Sequence, residues 1–352
     1  MSENPQRIAF IPGDGIGIEV TAEALKALEA LVKSHRLAVD YDTLDWGAGK
    51  YLREGVSLPE GAFEMFRREY SAIFIGALGD PRVPSNQHAA DILLGTRFNL
   101  DLYVNQRPVK LLDARLCPLR DRTERDVNFV IFRENTEGLY VGMGGVFKKN
   151  TPDEVAVQED VNTRKGVERI LVHAFEYARR QGLKKVCMSD KANALTFGHG
   201  LWQRTFSEVR ALYPEIEWRH LYVDTLAMEL VRDPGAFQVI VTCNMFGDIL
   251  SDLGAALQGG LGLAPSANLH PGQVSMFETV HGSAPNIAGK NLANPMAAVL
   301  TLGMMLEFLG HAEAATRAEA VVREAIRQNV TTRDLGGNLG TREVGDWIAS
   351  RL

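Results

Sequence analysis

The chain has 352 residues, room for one large domain or two of ordinary size, and its 45% hydrophobic and 23% charged residues are globular in proportion. A formal net charge of -6 with no basic cluster argues against nucleic acid as a partner. No run of about 18 apolar residues exists, so no membrane span is expected.

The N-terminal MSENPQRIAF lacks the basic start and long apolar stretch of a secretory leader, and the expected compartment is the cytoplasm. Short apolar, β-branched runs then alternate with longer helical patterns, which argues for an α/β fold with a mostly parallel sheet. Strands are expected at residues 8–11, 72–75, 129–132, 186–188, 221–223 and 239–241. The first helix is expected over 17–34, where Val20, Leu25, Leu28, Leu31 and Val32 share a face. A late helix is expected to open at Asn294 and Pro295 and to stop at Gly310. It is apolar nearly all round, so it should be buried, inside a domain or between subunits. Cys117, Cys187 and Cys243 are too few and scattered for a disulfide framework, and the last two read as small buried hydrophobes.

Gly13-Asp14-Gly15-Ile16-Gly17 follows the first strand and opens a helix. The pattern suits a phosphate-binding loop or a tight structural turn. It fails the G-x-G-x-x-G fingerprint because the third glycine position is Ile18, which disfavours a Rossmann domain. Further along, several strands run into residues able to do chemistry: Arg133, Asp190 with Lys191, Asp224, and Asn244 with Asp248. In open α/β sheets the carboxyl ends of strands line the binding crevice.

Asp248 and Asp252 lie four apart, on one face of a helix. Their repulsion is relieved if a cation sits near them, and hard oxygen donors without a Cys/His cluster suit Mg²⁺ or Mn²⁺. The other reading is a solvated helix face beside Ile249, Leu250 and Leu253. Arg97, Arg107 and Arg133 sit among apolar neighbours, as bidentate ligands for carboxylates or as ordinary ion-pair partners. Lys191 is a candidate general base and Tyr140 a candidate acid, against solvated and packing roles respectively.

Taken together, NMFGDILSDLGAAL, DKANAL, RENTEGLY and FETVHGSAPNIAGKNLANP resemble the β-decarboxylating dehydrogenase family, in the family's order and over nearly the whole chain. That family comprises the isopropylmalate, isocitrate, homoisocitrate and tartrate/D-malate dehydrogenases. The resemblance implies a doubly wound, two-domain α/β fold, not a Rossmann fold. Residues 1–102 plus 259–352 would form the larger, cofactor-binding domain, and 103–258 the smaller one with the dimer interface. Residues 142–162 would carry an arm that clasps a partner, in a homodimer with shared active sites or a tetramer built from it.

Carried over residue by residue, Arg97, Arg107 and Arg133 would hold the substrate carboxylates and Tyr140 would be the acid. Lys191 and Asp224 would come from the partner subunit, and Asp224, Asp248 and Asp252 would bind Mg²⁺ or Mn²⁺. Ile11, Asn193, Glu278, His281, Gly282, Ser283, Ala284, Asn286, Ile287 and Asn294 would meet the cofactor. Family members using NAD usually carry Asp-Ile after HGSAP, and those of the isocitrate type using NADP carry Lys-Tyr. Asn286-Ile287 therefore favours NAD, with weaker repulsion of a 2′-phosphate. The TRDLGG segment also lacks the tyrosine and arginine that grip that phosphate.

Isocitrate enzymes place serine six residues and asparagine four residues before the first of these arginines, and here stand Asp91 and Leu93. A carboxylate at 91 repels a third carboxylate, and Leu93 suits a branched alkyl group. The expected reaction is NAD-dependent oxidative decarboxylation of a 2-hydroxy diacid, 3-isopropylmalate first, in leucine biosynthesis. Tartrate or D-malate follows, then homoisocitrate and isocitrate, and last a non-catalytic regulatory subunit of the same fold.

Overall fold

The structure, a computed structural model, describes residues 5–352. Its first strands are β1 (Gln6–Gly13), β2 (Val39–Thr43), β3 (Ala72–Ala77), β4 (Val104–Lys110), β5 (Asn128–Glu134) and β6 (Gly144–Phe147). They continue as β7 (Val155–Gln158), β8 (Lys185–Asp190), β9 (Glu217–Tyr222), β10 (Val239–Thr242), β11 (Pro265–Leu269) and β12 (Ser275–Thr279). The helices begin with α1 (Ile16–His35), α2 (Ala48–Glu54), α3 (Ala62–Glu69), α4 (Gln87–Asn99), α5 (Arg164–Arg180) and α6 (Gly198–Arg210). The rest are α7 (Val223–Arg232), α8 (Asn244–Gln258), α9 (Met296–Phe308), α10 (Ala312–Arg327) and α11 (Thr341–Ala349).

Two compact units divide the chain. The first takes the residues up to Leu102, Lys110–Glu124 and Ala255–Leu352, and the second takes Tyr103–Val109 and Arg125–Gly254. Residues 110–124 thus belong with the chain ends and not, as the sequence suggests, with the middle. Leu112 and Leu116 join the first unit's core, and Lys110 pairs with Glu319 of α10 at 2.6 Å.

In the first unit the strand order is β2-β1-β3-β12-β11, parallel except where β11 meets β12. Period-2 alternation along β1 sends its side chains into two cores on opposite faces. Ile8 and Phe10 pack with Val20 and Leu28 of α1, Val299 and Leu302 of α9 and Val321 of α10, while Ala9 and Ile11 pack with Phe66 of α3 and Ile92 of α4. That is the doubly wound arrangement. The all-round apolar helix α9 lies against α1, α10, β11 and β12. Its burial is achieved inside this unit, so its apolar circumference needs no subunit contact. Asn294 Oδ1 accepts from the Met296 amide at 3.0 Å, the cap that its position suggests.

The second unit orders its strands β4-β5-β10-β8-β9, and β5, β10, β8 and β9 run parallel. Phe175 of α5 and Trp202 and Phe206 of α6 are buried. The expected strand at 221–223 stops at Tyr222, and Val223 already opens α7. Where the arm is expected, β6 and β7 form an antiparallel hairpin whose residues are all exposed, Phe147 by 67%. Among the described residues no helix is long and apolar enough to cross a membrane.

Candidate active site

In the second unit, β5 delivers Arg133 to the start of α8. Arg133 is 1% exposed; its Nε donates to Asn244 Oδ1 at 2.8 Å and its Nη1 to Asp248 Oδ1. Arg107, on β4, donates from Nη1 to Ser251 Oγ at 2.7 Å and lies 3.3 Å from Asp248 Oδ1 and 3.6 Å from Asp252 Oδ1. The four-residue spacing does put both carboxylates on one face, and that face meets two buried guanidinium groups. The close approach requires Gly247, because a Cβ there would fall 2.5 Å from Arg133 Cβ.

Tyr140 completes the cluster, its hydroxyl donating to Asp248 Oδ2 at 3.2 Å beneath the Arg133 guanidinium, 5.4 Å from the ring centre. Burial and then the Asp248 charge raise its pKa, keeping the hydroxyl protonated and able to donate. Burial also raises the Asp252 pKa; Arg107 opposes the shift and Asp248 adds to it. Next to Arg133, the buried Glu134 accepts from the Thr136 and Glu137 amides at 3.0 and 2.7 Å, yet burial pushes its carboxyl up to about 7.

The donor chemistry of Asp248 and Asp252, two hard oxygens flanked by a hydroxyl, fits a divalent cation. Among the described residues no group of three His, Cys, Asp or Glu converges on such a site. Asp224 instead lies in the first turn of α7 with Lys191 Nζ at 2.8 Å, a bond that lowers its pKa. One chain therefore brings Asp248 and Asp252 together but leaves Asp224 with Lys191.

Lys191 follows β8 directly. The turn behind it is built on buried Asp190, whose carboxylate accepts from the Ala192 amide at 3.0 Å and Gln203 Nε2 at 2.5 Å and meets His220 Nε2 at 3.0 Å. Lys191 Nζ also lies 5.7 Å above the Tyr222 ring. Asn193 is exposed in the following turn.

In the first unit, Arg97 on α4 is buried and donates from Nη2 to Glu278 Oε1 at 2.7 Å, an oxygen that also accepts from Asn268 Nδ2 at 2.8 Å. Its Nε is buried with no hydrogen-bond partner. Leu93, one turn earlier, is half-buried against Ile92 and its cluster. The Asp91 carboxylate is engaged by Ser57 Oγ and Gln87 Nε2, both at 2.6 Å.

The glycine loop is a structural turn. The amides of Asp14, Ile16 and Gly17 donate to Ala77, Ser283 and Asp14 carbonyls at 2.7, 2.8 and 2.9 Å, so these donors are spent inside the chain. Gly15 has φ 56° and a Cβ there would sit 2.1 Å from the Ser283 oxygen. Buried Asp14 clamps the turn by accepting from the Ala48 and Gly79 amides at 2.7 and 2.9 Å and meeting His88 Nε2 at 2.7 Å.

The loop thereby packs on the 281–294 segment expected to meet a cofactor. There His281 Nε2 is buried without a partner, and burial lowers the ring's pKa. Ser283 is buried, Gly282 and Asn286 are exposed, and Ala284 and Ile287 pack partly on the core. Asn294 Nδ2 donates to Asp334 Oδ2 at 2.9 Å. A groove of about 500 Å³ beside this segment is lined by Gly15, Glu19, Asp80, Arg82, Pro285 and Ala288, among others. Ile11 is fully buried within the sheet's core, so its side chain has no surface to offer a nucleotide. Sequence reasoning passed over Ser251, Asn268, Asp334 and His88, which hold the candidates in place. Polar single residues in apolar runs were the only signal.

The family model of isocitrate/isopropylmalate dehydrogenase matches residues 7–348. The 3-isopropylmalate dehydrogenase of Thermobifida fusca (strain YX) is 46% identical over 354 residues, covering 100% of this chain and 99% of that protein. The tartrate dehydrogenase/decarboxylase of Pseudomonas putida is 42% identical, covering 98% and 97%. Among solved structures, isocitrate dehydrogenase from Methylococcus capsulatus superposes with a TM-score of 0.89 at 39% identity, covering 98% and 99%.

Proposed function

The chain belongs to the isocitrate/isopropylmalate dehydrogenase family, and from that footing we propose that it oxidises 3-isopropylmalate with NAD and decarboxylates the product to 4-methyl-2-oxopentanoate. The observation that carries this reading is the face of α8 on which Asp248 and Asp252 meet Arg107, Arg133 and the Tyr140 hydroxyl. Two buried guanidinium groups suit the carboxylates of a diacid. Two aspartates on the same surface suit Mg²⁺ or Mn²⁺, with Asp224 of a second copy as third ligand. The enzyme is a cytoplasmic homodimer, and the exposed β6–β7 hairpin is the arm that clasps the second copy.

When bound, NAD supplies the hydride acceptor and the divalent cation supplies Lewis acidity. The remaining work falls to the chain. Arg97, Arg107 and Arg133 neutralise and orient the substrate carboxylates. Lys191 of the second copy, acting together with Asp224, takes up the hydroxyl proton as hydride leaves. Tyr140, kept protonated by burial and by Asp248, delivers a proton to the carbon from which CO₂ departs, assisted by Lys191. His281 and the exposed Asn286 receive the adenosine half of NAD.

Leu93 selects an alkyl substituent, and Asp91 disfavours a third carboxylate. A tartrate or D-malate dehydrogenase is the second reading, favoured by the 42% identity to the Pseudomonas putida protein. The test is a panel of 3-isopropylmalate, isocitrate, homoisocitrate, D-malate and tartrate, each with NAD and NADP in Mn²⁺. The highest kcat/KM is expected for 3-isopropylmalate with NAD; preference for another diacid would refute the substrate, and no turnover would refute an enzyme.

A further inference from the structure

The connection between β8 and α6 holds the Lys191 peptide from both sides. Its carbonyl accepts from the Ala194 and Leu195 amides at 2.9 and 2.8 Å. Its amide donates to His199 Nδ1 at 2.8 Å, a bond between a backbone group and a ring eight residues away. A ring nitrogen that accepts an N–H carries a lone pair, so the neutral imidazole must keep its hydrogen on Nε2. That nitrogen faces Asp160 Oδ2 at 3.7 Å.

The ring is also fixed in space. His199 is 1% exposed and packs edge-on against Phe246, 5.3 Å between ring centres. Asp160 Oδ2 accepts from Asn162 Nδ2 at 3.0 Å, and Asn162 Oδ1 accepts from Trp202 Nε1 at 2.8 Å. The chain leaving the β6–β7 hairpin is thus fastened to the first two turns of α6, and through His199 to the residue after β8. Burial lowers the His199 pKa while Asp160 and Asp190 oppose it, in keeping with a neutral ring.

We propose that His199 is a positioning residue whose Nδ1 fixes the Lys191 peptide and so sets the origin from which the lysine side chain reaches the substrate. It touches no reacting atom. A lysine has four rotatable bonds, and a peptide free to rock adds its own displacement to the dispersion of Nζ. Proton transfer is steep in that displacement. The inference rests on the reading of Lys191 as the base.

The full-length protein and the diacid it turns over best provide the test. H199N can place an amide oxygen where Nδ1 stands, H199Q places its amide further out where Nε2 stands, and H199L offers neither. We expect kcat to fall about 30-fold in H199Q and H199L, with both KM values within about twofold of the parent, and H199N to retain kcat within about threefold. Equal losses in H199N and H199L would overturn the proposal, since the acceptor would then be irrelevant. Full kcat in H199L or H199Q, or losses that follow thermal stability across the three, would overturn it as well. K191M separates the two readings: if it keeps the parental kcat the lysine assignment itself is wrong, whereas an inactive K191M beside a fully active H199L condemns only the positioning role.

Discussion

Arg133 and Asp248 neutralise each other: the guanidinium, 1% exposed, spends its Nη1 on a carboxylate whose side chain is 36% exposed. On the proposed reading each has a different final partner, a substrate carboxylate for the arginine and a divalent cation for the aspartate. Binding of either ligand then frees the group the other needs. In R133Q the aspartate loses its shortest ion pair and keeps Arg107 and Tyr140, so the free enzyme should bind Mn²⁺ about fivefold more tightly while kcat/KM for the diacid falls by a factor of about 100 or more. Titration calorimetry decides it; unchanged or weaker Mn²⁺ affinity in R133Q would show that the pair does not compete with the metal.

Leu93 is half-buried against the cluster containing Ile92 and Phe66, so its truncation has a structural and a functional component. L93A should destabilise the protein by about 1–2 kcal/mol, less than a fully buried leucine. Its kcat/KM for 3-isopropylmalate should fall about tenfold with D-malate changed by no more than about twofold. Parallel losses on both substrates would reduce Leu93 to packing.

Asn286 is exposed and uncharged. On the proposed reading, N286D sets a carboxylate against the ribose, accepting from its hydroxyl and repelling a 2′-phosphate. The ratio of kcat/KM for NAD over NADP should rise about tenfold, chiefly through loss of NADP turnover. An unaltered ratio would remove residue 286 from the nucleotide site.

Glu134 gives a pH dependence whose sign is the reverse of the usual carboxylate case. Its folded pKa, about 7, lies above the ordinary glutamate value of 4.5 because the carboxyl is buried. Between those values the folded chain binds the proton that the unfolded chain has released, so stability is complete below about 4.5 and is lost as pH rises to about 7. Compared with E134Q, the parent should lose up to about 3 kcal/mol of stability between pH 4.5 and 8. Chemical denaturation of both across that range checks it, and a constant difference would mean that Glu134 is ionised throughout.

What could be read from the sequence follows burial. β3 and β10 are buried at every position and β5 and β8 at all but the first, so their continuous apolar runs stand out. β11 reads Pro-Ser-Ala-Asn-Leu and gives no such signal. Its buried Asn268 donates to Glu278 on β12, a pairing visible only after folding. β6 and β7 are short and exposed at every residue, so they carry no buried apolar face to mark them. The candidate site residues stand out in the sequence because their types are chemically conspicuous. Ser251, which orients Arg107, and His199, which holds an amide, are of types that occur everywhere, and only distances distinguish them.

The order of strands in the first unit has a consequence for synthesis. β12 lies between β3 and β11, so a sheet begun by the first 77 residues cannot be completed until residues 275–279 have left the ribosome. The second unit draws all its strands from residues 104–242 and can close its sheet well before then. During translation the amino-terminal third should wait, with one edge of β3 exposed, while the middle of the chain folds past it. Refolding from denaturant should show the same order, with the middle gaining protection from hydrogen exchange before β3 does, because β3 depends on pairing with β12 across some 200 residues of intervening chain.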